Sequence, residues 1–156
     1  MSTLNIWAGT ASFYGTVDGN GHKVSGMFND EDAALGTKRG MFGSGVASKA
    51  TVIKNLLLTN TYFKGATYQS AFVGSANSWA TIEINNCYVE NIYLESSTLK
   101  DKYTNPTSGV LLGYQACYLN VYNVGVSNIK FAGGDSTRYG AFLGDAYTSR
   151  GFNIKN

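Results

Sequence analysis

Charge is scarce in this chain. Only 14% of its 156 residues are Asp, Glu, Lys or Arg, and the net charge is +2. Soluble domains usually carry about 25% charged residues. No Lys/Arg run exists, so a phosphate-tracking, nucleic-acid-binding surface is not expected. Proline appears once and histidine once. A single His leaves too few ligands for a zinc site. The two cysteines, Cys87 and Cys117, fall at different points of the repeat described below. Two free, small apolar thiols are favoured over a disulfide. Apolar runs are short, far below the roughly 20 residues of a membrane-spanning helix; Leu56-Leu57-Leu58 reads as strand core, and no membrane insertion is expected. Met1-Ser2-Thr3-Leu4-Asn5 has neither a basic region nor an apolar core, so no signal peptide is expected within this chain.

What is abundant is Gly (19 residues), Tyr (11 residues) and Asn, within a chain that is 44% hydrophobic. That mixture suits short strands joined by tight turns, not disorder. The length fits one domain, residues 1–156.

One phrase is written four times. Met41-Phe42-Gly43, Phe72-Val73-Gly74, Leu111-Leu112-Gly113 and Phe142-Leu143-Gly144 each open a unit. An aliphatic-x-Asn step follows each: Ile53-Lys54-Asn55, Ile84-Asn85-Asn86, Val121-Tyr122-Asn123 and Ile154-Lys155-Asn156. Three units carry a second Asn five residues later, at Asn60, Asn91 and Asn128. A period of about 30 residues marks a stacked-repeat architecture. Val24, with Gly26 in the Asn slot, serves as the marker of a weaker first unit. No sustained helical periodicity is present; the nearest candidate is a single turn over 29–36.

The expected fold is all-β: a right-handed parallel β-solenoid of about five coils, each of roughly 30 residues and three short strands. A polar loop near 96–107, which holds the only Pro, bulges from one coil. Equivalent positions then stack about 4.8 Å apart. Asn55, Asn86 and Asn123 become one side-chain ladder, and Asn60, Asn91 and Asn128 a second. Asn also tolerates the left-handed backbone of a corner.

Tyr14-Gly15-Thr16-Val17-Asp18-Gly19-Asn20-Gly21-His22-Lys23-Val24-Ser25-Gly26-Met27 resembles the opening of bacterial surface β-helices of the GLUG-repeat type. Gly40-Met41-Phe42-Gly43, Ala50-Thr51-Val52-Ile53-Lys54-Asn55-Leu56 and Ile84-Asn85-Asn86-Cys87-Tyr88 resemble that family's later units. The likeness runs from about residue 13 to 156. It implies modular scaffolding of an extracellular or cell-surface bacterial protein, next to adhesin-like, protease or carbohydrate-active modules. It carries no catalytic residues. Alanine at position 71, where the family pattern has Gly, and the 96–107 insertion depart from it. Both ends of the chain read as cut from a longer solenoid, or as the ends of a subunit that stacks on copies of itself.

Candidate sites each have a structural reading beside the chemical one. Asp18-Gly19-Asn20-Gly21-His22 offers Asp18 and His22 as an acid/base or metal pair, yet a tight turn capped by Asp is favoured. Asp30-Glu31-Asp32 offers carboxylates to calcium, but a solvated loop or helix start is the more common role. No cofactor is otherwise expected. Aligned slots place Glu83 with Val52, Glu90 with Thr59 and Ser127, and Asp145 with Ser44 and Ser75. No two carboxylates stack, so no paired-carboxylate site is expected and the chain reads as non-enzymatic. Tyr62, Tyr93, Tyr88 and Tyr103 could form a carbohydrate-binding face, against the plainer reading that Tyr suits strand surfaces. Expected partners are glycans, or other copies of the chain through coil ends. A polysaccharide-cleaving or -binding β-helix module and a phage tail-fibre or spike segment stay open as alternatives.

Overall fold

The computed structural model describes residues 7–31, 37–77, 79–97, 105–133, 137–146 and 151–155. The first level holds β1 (Ser12–Phe13), β2 (Gly15–Asp18), β3 (Lys23–Ser25) and β4 (Phe28–Asn29). The second holds β5 (Lys38–Arg39), β6 (Phe42–Gly45), β7 (Ala50–Lys54) and β8 (Leu57–Lys64). The third holds β9 (Tyr68–Gln69), β10 (Val73–Ala76) and β11 (Thr81–Glu95). The fourth holds β12 (Thr107–Gly109), β13 (Leu112–Gln115) and β14 (Tyr118–Ala132). The last holds β15 (Arg138–Gly140), β16 (Leu143–Ala146) and β17 (Phe152–Lys155).

Among the described residues these strands form three sheets, and every pairing is parallel. No helix is present among them. The chain is a β-solenoid of about four turns. Each full turn passes through a short sheet (β5, β9, β12, β15), then the sheet of the Gly-ending phrase (β1, β6, β10, β13, β16), then a long third sheet.

The third sheet departs from three short strands per coil. Its strands β11 and β14 run 15 residues each and are bent twice, at the two Asn positions. Asn55, Asn86 and Asn123 have φ of 53°, 51° and 50°, and Asn60, Asn91 and Asn128 have 52°, 56° and 49°. These are left-handed values, which Asn reaches at lower cost than other residues with a Cβ. The Asn slots are therefore the corners, as their repetition implies.

Ahead of the first corner, alternation sends β-branched and aliphatic side chains inward. Ile53 and Ile84 are fully buried, and Val121 is 1% exposed. They stack with Val17 below and Ile154 above. This corrects the first marker. Val24 pairs with Leu58, so it belongs to the next column, and Gly26 sits level with the second Asn corner. The markers are Val17, Ile53, Ile84, Val121 and Ile154, and the first interval is a long one. The cause is local: four residues turn the first corner between Asp18 and Lys23, where two suffice between Lys54 and Leu57.

The glycine of the repeated phrase is set by backbone packing. A Cβ on Gly74 would come within 2.5 Å of the Arg39 backbone N, and one on Gly113 within 2.4 Å of the Gly74 carbonyl oxygen. No side chain fits there. The insertion also falls where expected. Glu95 pairs with Lys64 and Thr107 with Tyr68, so residues 96–106 replace the short connection 65–67. Of the expected helical turn over 29–36, Asn29 ends a strand, and residues 32–36 lie outside the described part.

Candidate functional site

The first Asn corner is built from side chains that repeat. Asn55 Nδ2 donates to Asp18 Oδ1 at 3.0 Å. Asn86 Nδ2 donates to Asn55 Oδ1, and Asn123 Nδ2 to Asn86 Oδ1, both at 2.8 Å. The column thus starts on a carboxylate and continues as amides. Asp18 also accepts the Asn20 backbone N–H at 2.9 Å and faces Lys54 Nζ at 3.3 Å. The Asn55 amide, then the Asn20 N–H, with Lys54 adding less, holds the Asp18 carboxyl below its ordinary value. Asp18 to His22 forms a tight turn, with His22 N donating to the Gly19 carbonyl and both Asn20 and Gly21 at positive φ.

An open groove of about 650 Å³ runs along this corner. Asn20, Asn55, Asn86 and Asn123 border it over four levels, and Leu57 and Tyr88 also line it. Leu56, Cys87 and Val124 contribute its buried floor. Leu57 is half-buried and faces the groove, so of the Leu56-Leu57-Leu58 run only Leu56 and Leu58 are core.

Tyr88 is the groove's aromatic group, and it is 44% exposed. Lys23, Leu57, Tyr88 and Gly125 share one slot on successive levels. A Cβ on Gly125 would lie 2.4 Å from Tyr88 Cδ2, so the ring leans across the glycine above it. The Tyr88 hydroxyl donates to Ser127 Oγ at 3.0 Å. Lack of a side chain at 125 opens the place, and Ser127 fixes the ring in it.

The second Asn corner repeats the device. Asn60 Nδ2 donates to Ser25 Oγ at 3.0 Å, Asn91 Nδ2 to Asn60 Oδ1 at 3.2 Å, and Asn128 Nδ2 to Asn91 Oδ1. Beside it, Phe28, Tyr62 and Tyr93 stack with centroids 5.4 and 5.0 Å apart. Lys130 Nζ lies 4.6 Å from the centroid of the Tyr93 ring. Both hydroxyls donate to Glu95 Oε2, at 3.0 Å from Tyr62 and 3.4 Å from Tyr93. Burial, then the Glu95 carboxylate, pushes Tyr62 up to about 12. Tyr93 is raised as well, by burial first and then by Glu95.

The four tyrosines therefore separate. Tyr62 and Tyr93 come together as one column, away from the groove lining. Tyr88 stands alone in the groove. Tyr103 lies outside the described residues. From the sequence, Leu57 is assigned to strand core, Ser127 is only a slot partner of Glu90, and Gly125 is not singled out. Their signal was present in the repeat frame, where Gly125 falls in the slot of Tyr88.

The carboxylates fall in the columns expected, with Asp145 reached from Ser44 and Ser75 through Tyr114. Glu83 pairs with Val52 and Asn120, Glu90 with Thr59 and Ser127, and Asp145 with Tyr114. Among the described residues no group of three His, Cys, Asp or Glu is placed to hold a metal ion. Asp32, of the acidic triplet, lies outside them; Glu31 N donates to Asn29 Oδ1 in a local turn. Cys87 and Cys117 are free and buried, and burial raises both thiols, Cys117 to about 12. No helix among the described residues is long and apolar enough to cross a membrane. No family model, curated protein or solved structure matches the chain.

Proposed function

We propose that this solenoid is a non-enzymatic structural and adhesive module of a bacterial surface or secreted protein, the kind of protein that its opening motif resembles. One observation carries the reading: the side chains that repeat are used by the fold itself. The aliphatic slot fills the core, the Asn slots turn the corners and bond up the stack, and the Gly slot admits neighbouring backbone. A scaffold needs that and no more. The slots that carry Glu83, Glu90 and Asp145 hold no second carboxylate on a neighbouring level, which supports an inert surface over a hydrolytic one.

The experiment is exposure of the protein to a panel of soluble and insoluble polysaccharides, followed by assay for new reducing or unsaturated chain ends. Intact polymer is expected throughout; chain cleavage overturns the non-enzymatic reading. Antibody labelling of intact cells tests the placement. Labelling before permeabilisation is expected, and labelling only afterwards overturns the surface assignment.

A further inference from the structure

We propose that the groove along the first Asn corner binds an extended, neutral polysaccharide lying parallel to the solenoid axis, with the Tyr88 ring as its stacking platform. The proposal rests on the adhesive reading above and adds to it a site and a ligand class.

Shape is the first argument. The groove is open and spans the four levels from Asn20 to Asn123. Three steps of about 4.8 Å make it about 15 Å long. A chain can pass along such a trough, where a compact ligand would leave most of it empty. An extended chain of β-linked pyranoses advances by close to one strand spacing per sugar, so each level can meet one residue.

Charge is the second. No charged side chain lines the groove. Anionic polymers, phosphates and nucleic acid would be desolvated there without a cation to offset the cost. A neutral polymer carries no such penalty.

Hydrogen bonding is the third. Each ladder amide uses one N–H on the group below it, the Asp18 carboxylate for Asn55 and an amide for Asn86 and Asn123. A side-chain amide has two N–H groups and two lone pairs, so donor and acceptor capacity remains on every level. Asn86 and Asn123 are exposed and present it to solvent. Sugar hydroxyls both donate and accept, and an amide rail answers both. An added peptide strand is a poorer fit, because the backbone that borders the groove is already paired within the third sheet.

Tyr88 supplies the fourth. A pyranose presents an apolar C–H face, which stacks on an aromatic ring. Ser127 and the space above Gly125 hold this ring before any ligand arrives, so little side-chain freedom is lost on binding. Tyr62 and Tyr93 lack that availability, because their rings pack on each other between Phe28 below and Lys130 above.

The test is affinity electrophoresis of the whole chain in gels holding single soluble polymers: neutral glucans, mannans, xylans and galactans, with polygalacturonate as the anionic comparison. Retardation by at least one neutral polymer is expected, little changed by added salt. Tyr88→Ala should weaken it by about tenfold or more, on the scale of a central aromatic anchor. Gly125→Ala, which crowds the ring from its place, should weaken it as well. Tyr118→Ala, on an equally exposed tyrosine outside the groove, should change nothing. Melting curves confirm that each variant is folded. Absence of retardation across the neutral panel overturns the proposal, as does unchanged binding by folded Tyr88→Ala, retention lost with salt, or retention lost only on joint Tyr62→Ala and Tyr93→Ala substitution. These outcomes leave the scaffold reading in place; chain cleavage would instead overturn that reading.

Discussion

The two Asn corners are built alike and flanked differently. Both turn the chain through a left-handed Asn, and both stack three amides on a first-level oxygen group, Asp18 at one and Ser25 at the other. Beside the second corner a column of Phe28, Tyr62, Tyr93 and Lys130 runs unbroken across four levels and closes on Glu95. Beside the first, the corresponding slot reads Lys23, Leu57, Tyr88, Gly125 and leaves a groove. The repeating residues therefore decide the backbone path and little else. The groove sits where the repeat breaks, at the glycine that follows Tyr88 in its column.

The comparison breaks most completely in the core that both corners share. Ile84 is fully buried in the central column. Ile84→Ala is expected to cost about 2–5 kcal/mol from lost burial and the cavity left behind. Denaturant titration, followed by Tyr88-dependent polymer retention and by near-ultraviolet tyrosine dichroism, should show one midpoint for both corners. Two separate midpoints would mean that the corners fold as independent units.

A smaller and more discriminating effect comes from paired substitutions at the third level. Asn86→Ala and Asn91→Ala each force alanine into the left-handed region, at about 1–2 kcal/mol. Each also removes a ladder amide that donates below and accepts from above. Those bonds are exposed and add about 0.5 kcal/mol or less apiece, the low end of the net range. Equal losses of about 2 kcal/mol are expected, with glycine at either site restoring about half. Only Asn86→Ala should also weaken polymer retention. Unequal stabilities would show that the two ladders do different structural work.

Much of the fold is legible in the sequence. The aliphatic-x-Asn step gave the period, and the period implied stacking, ladders and corners, because only a residue that tolerates positive φ can recur at a turn. The insertion was legible too, as a polar stretch holding the single Pro. The first level was not. Its corner has two extra residues, so Val24 fell at a plausible distance from Ile53 while pairing with Leu58. A fixed spacing cannot detect an insertion that it absorbs. The groove was also hidden. It depends on what Tyr88 meets one level up, and a glycine marks open space only after register is known. Tyr62 and Tyr93 showed as a shared slot, but nothing local announced that Glu95 would take both hydroxyls.

The closed corner can be loosened by alkali. Tyr62 is raised to about 12 by burial and by Glu95, whereas an unfolded tyrosine titrates near 10. The fold favours the neutral phenol, so this contribution is fully present below about pH 10 and is lost as pH rises through about 12. Tyr62 is only half-buried, and solvent screening keeps the effect to under about 1 kcal/mol. Denaturant midpoints of wild type and Tyr62→Phe, compared between pH 9 and 12 (a range set by those two values), should converge on the alkaline side. Parallel curves would remove the Glu95 contact from the account.

The open corner answers to acid, and more weakly. Asp18 lies below the ordinary aspartate value of 3.8, chiefly because it accepts from Asn55. A carboxylate lowered in the fold stabilises above its unfolded value, and that contribution is lost as pH falls through the lower folded one. The group is at the surface, so salt and solvent blunt the effect. Asp18→Asn keeps an oxygen for the Asn55 amide while removing the titration. Its midpoint should therefore stay flat between about pH 4 and 2, where the wild type declines slightly. The alkaline change should be the same in both proteins, because Asp18 and Tyr62 serve different corners. An acid decline that survives Asp18→Asn would move the titrating group away from the foot of the first ladder. An altered alkaline limb would show that the open and closed corners, alike in backbone, are also coupled through it.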